Sequence, residues 1–275
     1  MFQLILVAAV LLGVYVLLVQ TLFKRSKCKG NASMCGKTVI ITGGNTGIGK
    51  ATALHLARKG AKVILACRNK DKAATAIAEI QKETGSTEVF YMHLDLASLK
   101  SVRSFANTFL KNEPRLDMLI NNAGLVADGR TEDGYGIEFG VNHLGHFLLT
   151  CLLLERMKKT GGARVITLAS MAYRWGHIDF ERLCPPPPAG VVQTELSRNV
   201  SLWQKIFIQP VAWLLFLDPE TGAQTTLHCA LQEGIEPLSG RYFSCCAVEN
   251  VYAHARDDSV ALKLWEVSES LCGLS

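Results

Sequence analysis

The chain has 275 residues, 49% of them hydrophobic and 19% charged, with a formal net charge of +5. That length holds one sizeable core, and the composition excludes a disordered chain. No Lys/Arg run carries interleaved aromatics, so the modest positive charge is a solvated surface plus a basic flank rather than a nucleic-acid interface.

Residues 1–23 contain no charge, and Lys24, Arg25, Lys27 and Lys29 follow. A helix of that length covers the ~30 Å hydrocarbon core of a bilayer. Two readings fit, an uncleaved anchor and a cleaved signal peptide that would make the chain secreted. The start Met1-Phe2-Gln3 lacks the basic residues usual in a signal peptide and favours the anchor. Positive charge after the span holds the remainder in the cytoplasm, and an endoplasmic reticulum membrane is the expected site. The expected organisation is an anchor at 1–23, a basic linker at 24–36 and one domain at 37–275.

From Lys37 strands and helices alternate. Expected strands are Thr38–Thr42, Lys62–Cys67, Val89–Asp95, Leu116–Asn121 and Arg164–Ser170. Expected helices are Ala51–Arg58, Asp71–Glu83, Ser98–Lys111, about Gly136–Lys159, and Asp257–Leu271 at the end. The alternation predicts an α/β fold with a doubly wound parallel sheet of the Rossmann type. The nine cysteines form no C-x-x-C pair. They read as small apolar residues of a reducing compartment. His143, His146 and His228 show no metal-ligand spacing and read as structural.

Thr42-Gly43-Gly44-Asn45-Thr46-Gly47-Ile48-Gly49 lies between the first strand and the first helix. Glycines there allow a tight turn and close approach of backbone N–H groups to a pyrophosphate, with the helix dipole adding attraction. The residue after the second strand selects the cofactor, because an acid would bind a free ribose 2′-hydroxyl. Arg68 stands there, with Lys70 close by and Lys50 just after the glycines. These cations suit the 2′-phosphate of NADP(H).

With these residues the chain resembles the short-chain dehydrogenase/reductases, over about 36–183 and 190–275. Asn121-Asn122-Ala123-Gly124 looks like the family's N-N-A-G segment, and Asp95-Leu96 matches the pair facing the adenine. The resemblance makes Gly43, Asn45, Thr46, Gly47, Ile48, Gly49, Arg68, Asp95, Leu96, Asn122, Ala123 and Gly124 the cofactor residues. Thr194, in Gly190–Leu196, matches the threonine of the segment covering the nicotinamide. Asn142 and Ser170 match the active-site asparagine and serine. Within the family the chain is most similar to the membrane-anchored retinol dehydrogenase branch. This implies hydride transfer between NADP(H) and a lipophilic alcohol or carbonyl.

The family's Tyr-x-x-x-Lys is absent. The tyrosines are 15, 91, 135, 173, 242 and 252, and none has Lys four residues later. Tyr173 comes too soon after Ser170 to take the role. A parallel crossover needs a dozen or more residues and a full βαβ unit about 30. Between Ser170 and Gly190 lie too few residues, and Pro185–Pro188 fill their end. Four prolines exclude a helix interior or a central strand. A helix and a strand therefore read as deleted. The expected consequences are lost general acid/base chemistry, a sheet edge or re-pairing at the final strand around Arg241–Phe243, and loss of the family's usual dimer helix. A non-catalytic NADP(H)-binding protein and an incomplete gene model are the competing readings. The apolar stretch Ser201–Leu217 reads as a substrate lid or as a membrane-surface contact.

Overall fold

The computed structural model describes residues 10, 12–15, 17, 27–183 and 218–274. Most of the expected anchor, the Pro185–Pro188 run, the Thr194 segment and the apolar 201–217 stretch lie outside the described residues.

Five strands form one parallel sheet: β1 (Thr38–Thr42), β2 (Lys62–Cys67), β3 (Val89–His93), β4 (Met118–Asn121) and β5 (Arg164–Thr167), in the order β3-β2-β1-β4-β5. β1 is buried at every position, as a strand covered on both faces must be. Its side chains alternate between two cores. Val39 and Ile41 face one layer and Ile40 the other. The first layer holds α1 (Gly47–Arg58), α2 (Lys70–Thr84) and α6 (Pro219–Leu231), and the second holds α3 (Leu99–Asn112), α4 (Ile137–Thr160) and α7 (Asp258–Cys272). A short helix α5 (Phe180–Leu183) follows β5. The doubly wound expectation therefore stands.

Among the described residues α4 is the one helix long and apolar enough to cross a membrane. It is a core helix instead, with Leu144, Leu148, Leu149 and Leu153 fully buried against the sheet.

Several boundaries depart from expectation, β4 among them, which starts at Met118 rather than Leu116. α1 begins at Gly47, so the last glycines of the turn are already helical. β3 stops at His93. There the Asp95 N–H turns to Ser101 Oγ (3.0 Å) and its carboxylate accepts the Ala97 N–H (2.9 Å). β5 stops at Thr167, although the Leu168 N–H still reaches the Asn121 carbonyl at 2.9 Å.

The final strand also differs. β6 (Tyr242–Ser244) pairs antiparallel with β7 (Ala247–Glu249) in a separate two-stranded sheet. Their connection is Cys245-Cys246 with φ of +49° and +60°. A two-residue hairpin turn of this hand suits the strand twist, although glycine and asparagine take it more easily. Among the described residues β5 pairs with β4 alone.

The segment entering the domain is packed from Cys28 onward. The Cys28 N–H donates to Gln224 Oε1 (2.9 Å) on α6. Gly30 lies against the Leu231 backbone, where an added Cβ would sit 2.6 Å from the carbonyl carbon. Met34 is fully buried and its N–H donates to the Lys59 carbonyl at 3.0 Å.

Candidate functional site

In a parallel sheet the ends of the strands meet at one edge, where helix N-termini point and ligands bind. The ends of β1, β2, β3 and β4 carry, in turn, the glycine turn, Arg68, Asp95-Leu96 and the Asn121–Gly124 segment.

The turn is built for close approach. Gly43 takes φ +64° and Gly47 φ +55°, conformations that cost an ordinary side chain about 1–2 kcal/mol. A Cβ on Gly43 would sit 3.1 Å from Ala123, and one on Gly49 would sit 2.5 Å from Asn122 Nδ2 and 2.6 Å from the Gly43 carbonyl oxygen. The turn is thus clamped to the segment after β4. Thr46 occupies the N-cap of α1 without a side-chain cap, and the first turn holds no acid. Its N–H groups are open to an anion, which is what a pyrophosphate requires. Ile48 turns away and packs under Gly222 of α6.

The cations divide. Arg68 and Lys70 are exposed at the end of β2, and neither has an ion-pair partner among the described residues. Lys50 is engaged instead, paired with Glu79 of α2. Lys50 therefore belongs to the α1–α2 contact, and Arg68 with Lys70 are the exposed cations at the end of β2. Leu96 is buried and abuts Gly145 of α4, where a Cβ would lie 2.6 Å from its carbonyl oxygen.

The Asn121–Gly124 segment is tied down by hydrogen bonds. Thr42 Oγ1 accepts the N–H groups of Asn122 and Ala123, each at 2.9 Å. Asn122 Nδ2 donates to the Thr42 carbonyl at 2.8 Å. Asn121 Nδ2 donates to Thr150 Oγ1 at 3.1 Å, and its Oδ1 is buried without a partner among the described residues.

Asn142 lies within a π-helical turn, Gly140–Leu144, inside α4. Such turns recur at functional sites. Its amide grips one residue in both directions, with Oδ1 accepting the Leu125 N–H (2.9 Å) and Nδ2 donating to the Leu125 carbonyl (2.8 Å). In this geometry Asn142 holds the loop after β4. Ser170 is exposed beyond β5 and caps a 3-10 turn (Met171–Arg174), its Oγ accepting the Ala172 N–H at 3.1 Å. Tyr173 points into a cluster with Tyr242 and Tyr252, ring centroids 5.4 and 6.0 Å away, and its carbonyl accepts from His254 Nε2 at 3.1 Å.

The sequence reading took His146 as structural without naming its partners. This ring is buried, with Nε2 2.8 Å from Thr42 Oγ1 and Nδ1 3.2 Å from the Asn142 carbonyl oxygen. Burial pushes its pKa down to about 4, opposed by the Asn142 carbonyl and reinforced by nearby His143. Its place one helical turn after Asn142 was the available signal.

The sequence model of the short chain dehydrogenase family matches residues 37–180. Dehydrogenase/reductase SDR family member 13 of Bos taurus is 45% identical, covering 98% of this chain and 82% of the relative. That alignment is 310 positions long on a chain of 275 residues, so the relative carries residues without a counterpart here. Retinol dehydrogenase 11 of Mus musculus is 41% identical, covering 90% of both chains. An uncharacterized protein from Mycobacterium paratuberculosis has a similar crystal structure, with TM-score 0.61, 29% identity and coverage of 88% of this chain and 95% of that one. With its parallel sheet and glycine turn, the chain belongs to the short-chain dehydrogenase/reductase family of nicotinamide-dependent oxidoreductases, among relatives that include retinol dehydrogenases.

Proposed function

We propose that this chain binds NADP(H) at the glycine turn and belongs functionally with oxidoreductases acting on a lipophilic alcohol or carbonyl, with turnover impaired. The observation that carries the cofactor reading is Arg68, a cation at the end of β2 where NAD-selective sites place an acid. Gly43, Asn45, Thr46, Gly47, Ile48 and Gly49 would hold the pyrophosphate. Asp95 and Leu96 would face the adenine. Asn122, Ala123 and Gly124 would line the ribose side, and Thr194 would cover the nicotinamide. Bound NADPH supplies a hydride.

The chain's own part is to place a carbonyl and manage its proton. Ser170 Oγ accepts the Ala172 N–H with a lone pair, which leaves its proton to be donated to a substrate oxygen, and Asn142 keeps the floor of the cleft rigid. Family chemistry also needs a tyrosine to move the proton and a lysine to lower that tyrosine's pKa. No Tyr-x-x-x-Lys exists in this sequence. A lost general acid/base costs about 10²–10⁴-fold in rate. We place the residues that the cattle relative has in excess between Ser170 and Gly190. The family's dimer helix would go with them, so dimerisation through that face is not expected. Residues 1–23 would anchor the chain in the endoplasmic reticulum with the domain in the cytoplasm.

The test is NADPH-dependent reduction of retinal by the purified chain, beside a Ser170→Ala control. Turnover well above that control would refute the impairment. NADPH binding without turnover would favour the second reading, a non-catalytic NADP(H)-binding protein, which rests on the missing Tyr-x-x-x-Lys. Full-length transcript reads across Cys184–Gly190 would show whether the short form is made.

A further inference from the structure

The loop after β4 is mounted on a closed ring of hydrogen bonds. Thr42 Oγ1 takes the N–H groups of Asn122 and Ala123, the chain runs on to Leu125, and Asn142 holds Leu125 by both its N–H and its carbonyl. One side chain joins the two ends, since His146 touches both Thr42 Oγ1 (2.8 Å) and the Asn142 carbonyl oxygen (3.2 Å).

The proton positions follow from valence. A hydroxyl has two lone pairs and one proton. The two N–H groups at 2.9 Å use both lone pairs of Thr42 Oγ1. Its proton then goes to His146 Nε2 at 2.8 Å or to the Ile120 carbonyl at 3.4 Å, and the shorter contact wins. Nε2 is therefore the bare acceptor and Nδ1 carries the hydrogen, donated to the Asn142 carbonyl. A protonated ring would set an N–H against the Thr42 proton and open the ring. The depressed pKa of the buried imidazole agrees with a neutral His146.

We infer that His146 is a positioning residue that closes this ring and so couples the cofactor turn at Thr42 to the active-site helix at Asn142. This rests on the reading that the turn binds NADP(H). Leucine at this position would fill the space, but it would leave the Thr42 proton only the 3.4 Å contact to the Ile120 carbonyl, remove the Nδ1 donor from the Asn142 carbonyl, and so loosen the mounting of the loop bearing Asn122–Gly124.

The experiment is a fluorescence titration of NADPH into the full chain in detergent micelles, with thermal midpoints recorded alongside. His146→Leu should weaken binding about tenfold, the scale of one unsatisfied buried pair. His146→Gln, whose amide oxygen can accept from Thr42, should recover to within about threefold. His146→Asn keeps a donor near the Asn142 carbonyl, is too short for Thr42, and should lose about as much as leucine. It is small and polar and serves if the leucine variant fails to fold. Equal affinity of wild type and the asparagine variant would overturn the inference alone, as would glutamine losing as much as asparagine. A wild-type chain that does not bind NADPH would overturn both the cofactor reading and this inference.

Discussion

Thr38 and Asp117 hold each other in both directions, the Thr38 N–H donating to Asp117 Oδ2 and the Asp117 N–H to the Thr38 carbonyl, each at 2.9 Å. This pair sets β1 beside β4 and so sets where Thr42 meets Asn122. Burial alone would raise the Asp117 carboxyl. The Arg115 hydrogen bond, the Thr38 N–H and the charges of Arg115 and Lys37 outweigh it and hold the group below its usual 3.8. A depressed carboxylate contributes stability above the unfolded pKa and loses it as pH falls through the folded one. Asp117→Ala should cost about 2 kcal/mol at pH 7 in urea unfolding, and the cost should shrink below pH 3.8.

The buried imidazole of His146 acts with the same sign, over a higher pH window. Its folded pKa is about 4 against the ordinary 6.5, so the unfolded chain binds the proton more readily. Stability is complete above 6.5 and drains as pH falls toward 4. From pH 7 to pH 5 this group should remove about 2 kcal/mol. His143 and His228, also lowered by burial, add in the same direction. Urea unfolding at the two pH values should show a smaller pH dependence for His146→Leu than for wild type.

Cofactor choice should follow Arg68. Arg68→Asp should weaken NADPH about tenfold or more and improve NADH, since an acid bonds a free ribose 2′-hydroxyl and repels a phosphate. Paired fluorescence titrations report the ratio. An unchanged NADPH-to-NADH ratio would remove Arg68 from the site.

Two glycines of one turn should fail differently. Gly47→Ala meets open space but a φ of +55°, so it should cost about 1–2 kcal/mol of stability. Gly49→Ala drives a methyl to 2.6 Å from the Gly43 carbonyl oxygen. It should cost more and abolish measurable NADPH binding even where the chain still folds. Circular dichroism melts with a titration on each variant separate the two.

Much of this was legible because apolar runs such as Thr38–Thr42 are bounded by glycines and caps. The buried-on-both-faces β1, the crossover helices and the Arg68 position all follow from local pattern. Strand ends were less legible. His93 and Thr167 end strands because Asp95 and Ser170 turn their polar groups to neighbours the sequence does not name. Lys50 looked free by position and is spoken for by Glu79, a residue of another helix. His146 looked like packing because its partners lie 104 residues back and one turn before it.

The packed entry segment has a consequence for traffic. The chain passes Gln224 at Cys28 and Leu231 at Gly30, descending along α6. From Gly30 back to Cys28 the direction is toward the Gly222 end of α6, and Gly222 touches Ile48 of the glycine turn. Few residues separate Cys28 from the uncharged run 1–23, a reach of about 15 Å at full extension. For a chain anchored as proposed, a tether that kept the Gly30-to-Cys28 direction would leave from the cleft side. The cleft would then hang close to the lipid headgroups, and an oily molecule could arrive by lateral diffusion without crossing bulk water.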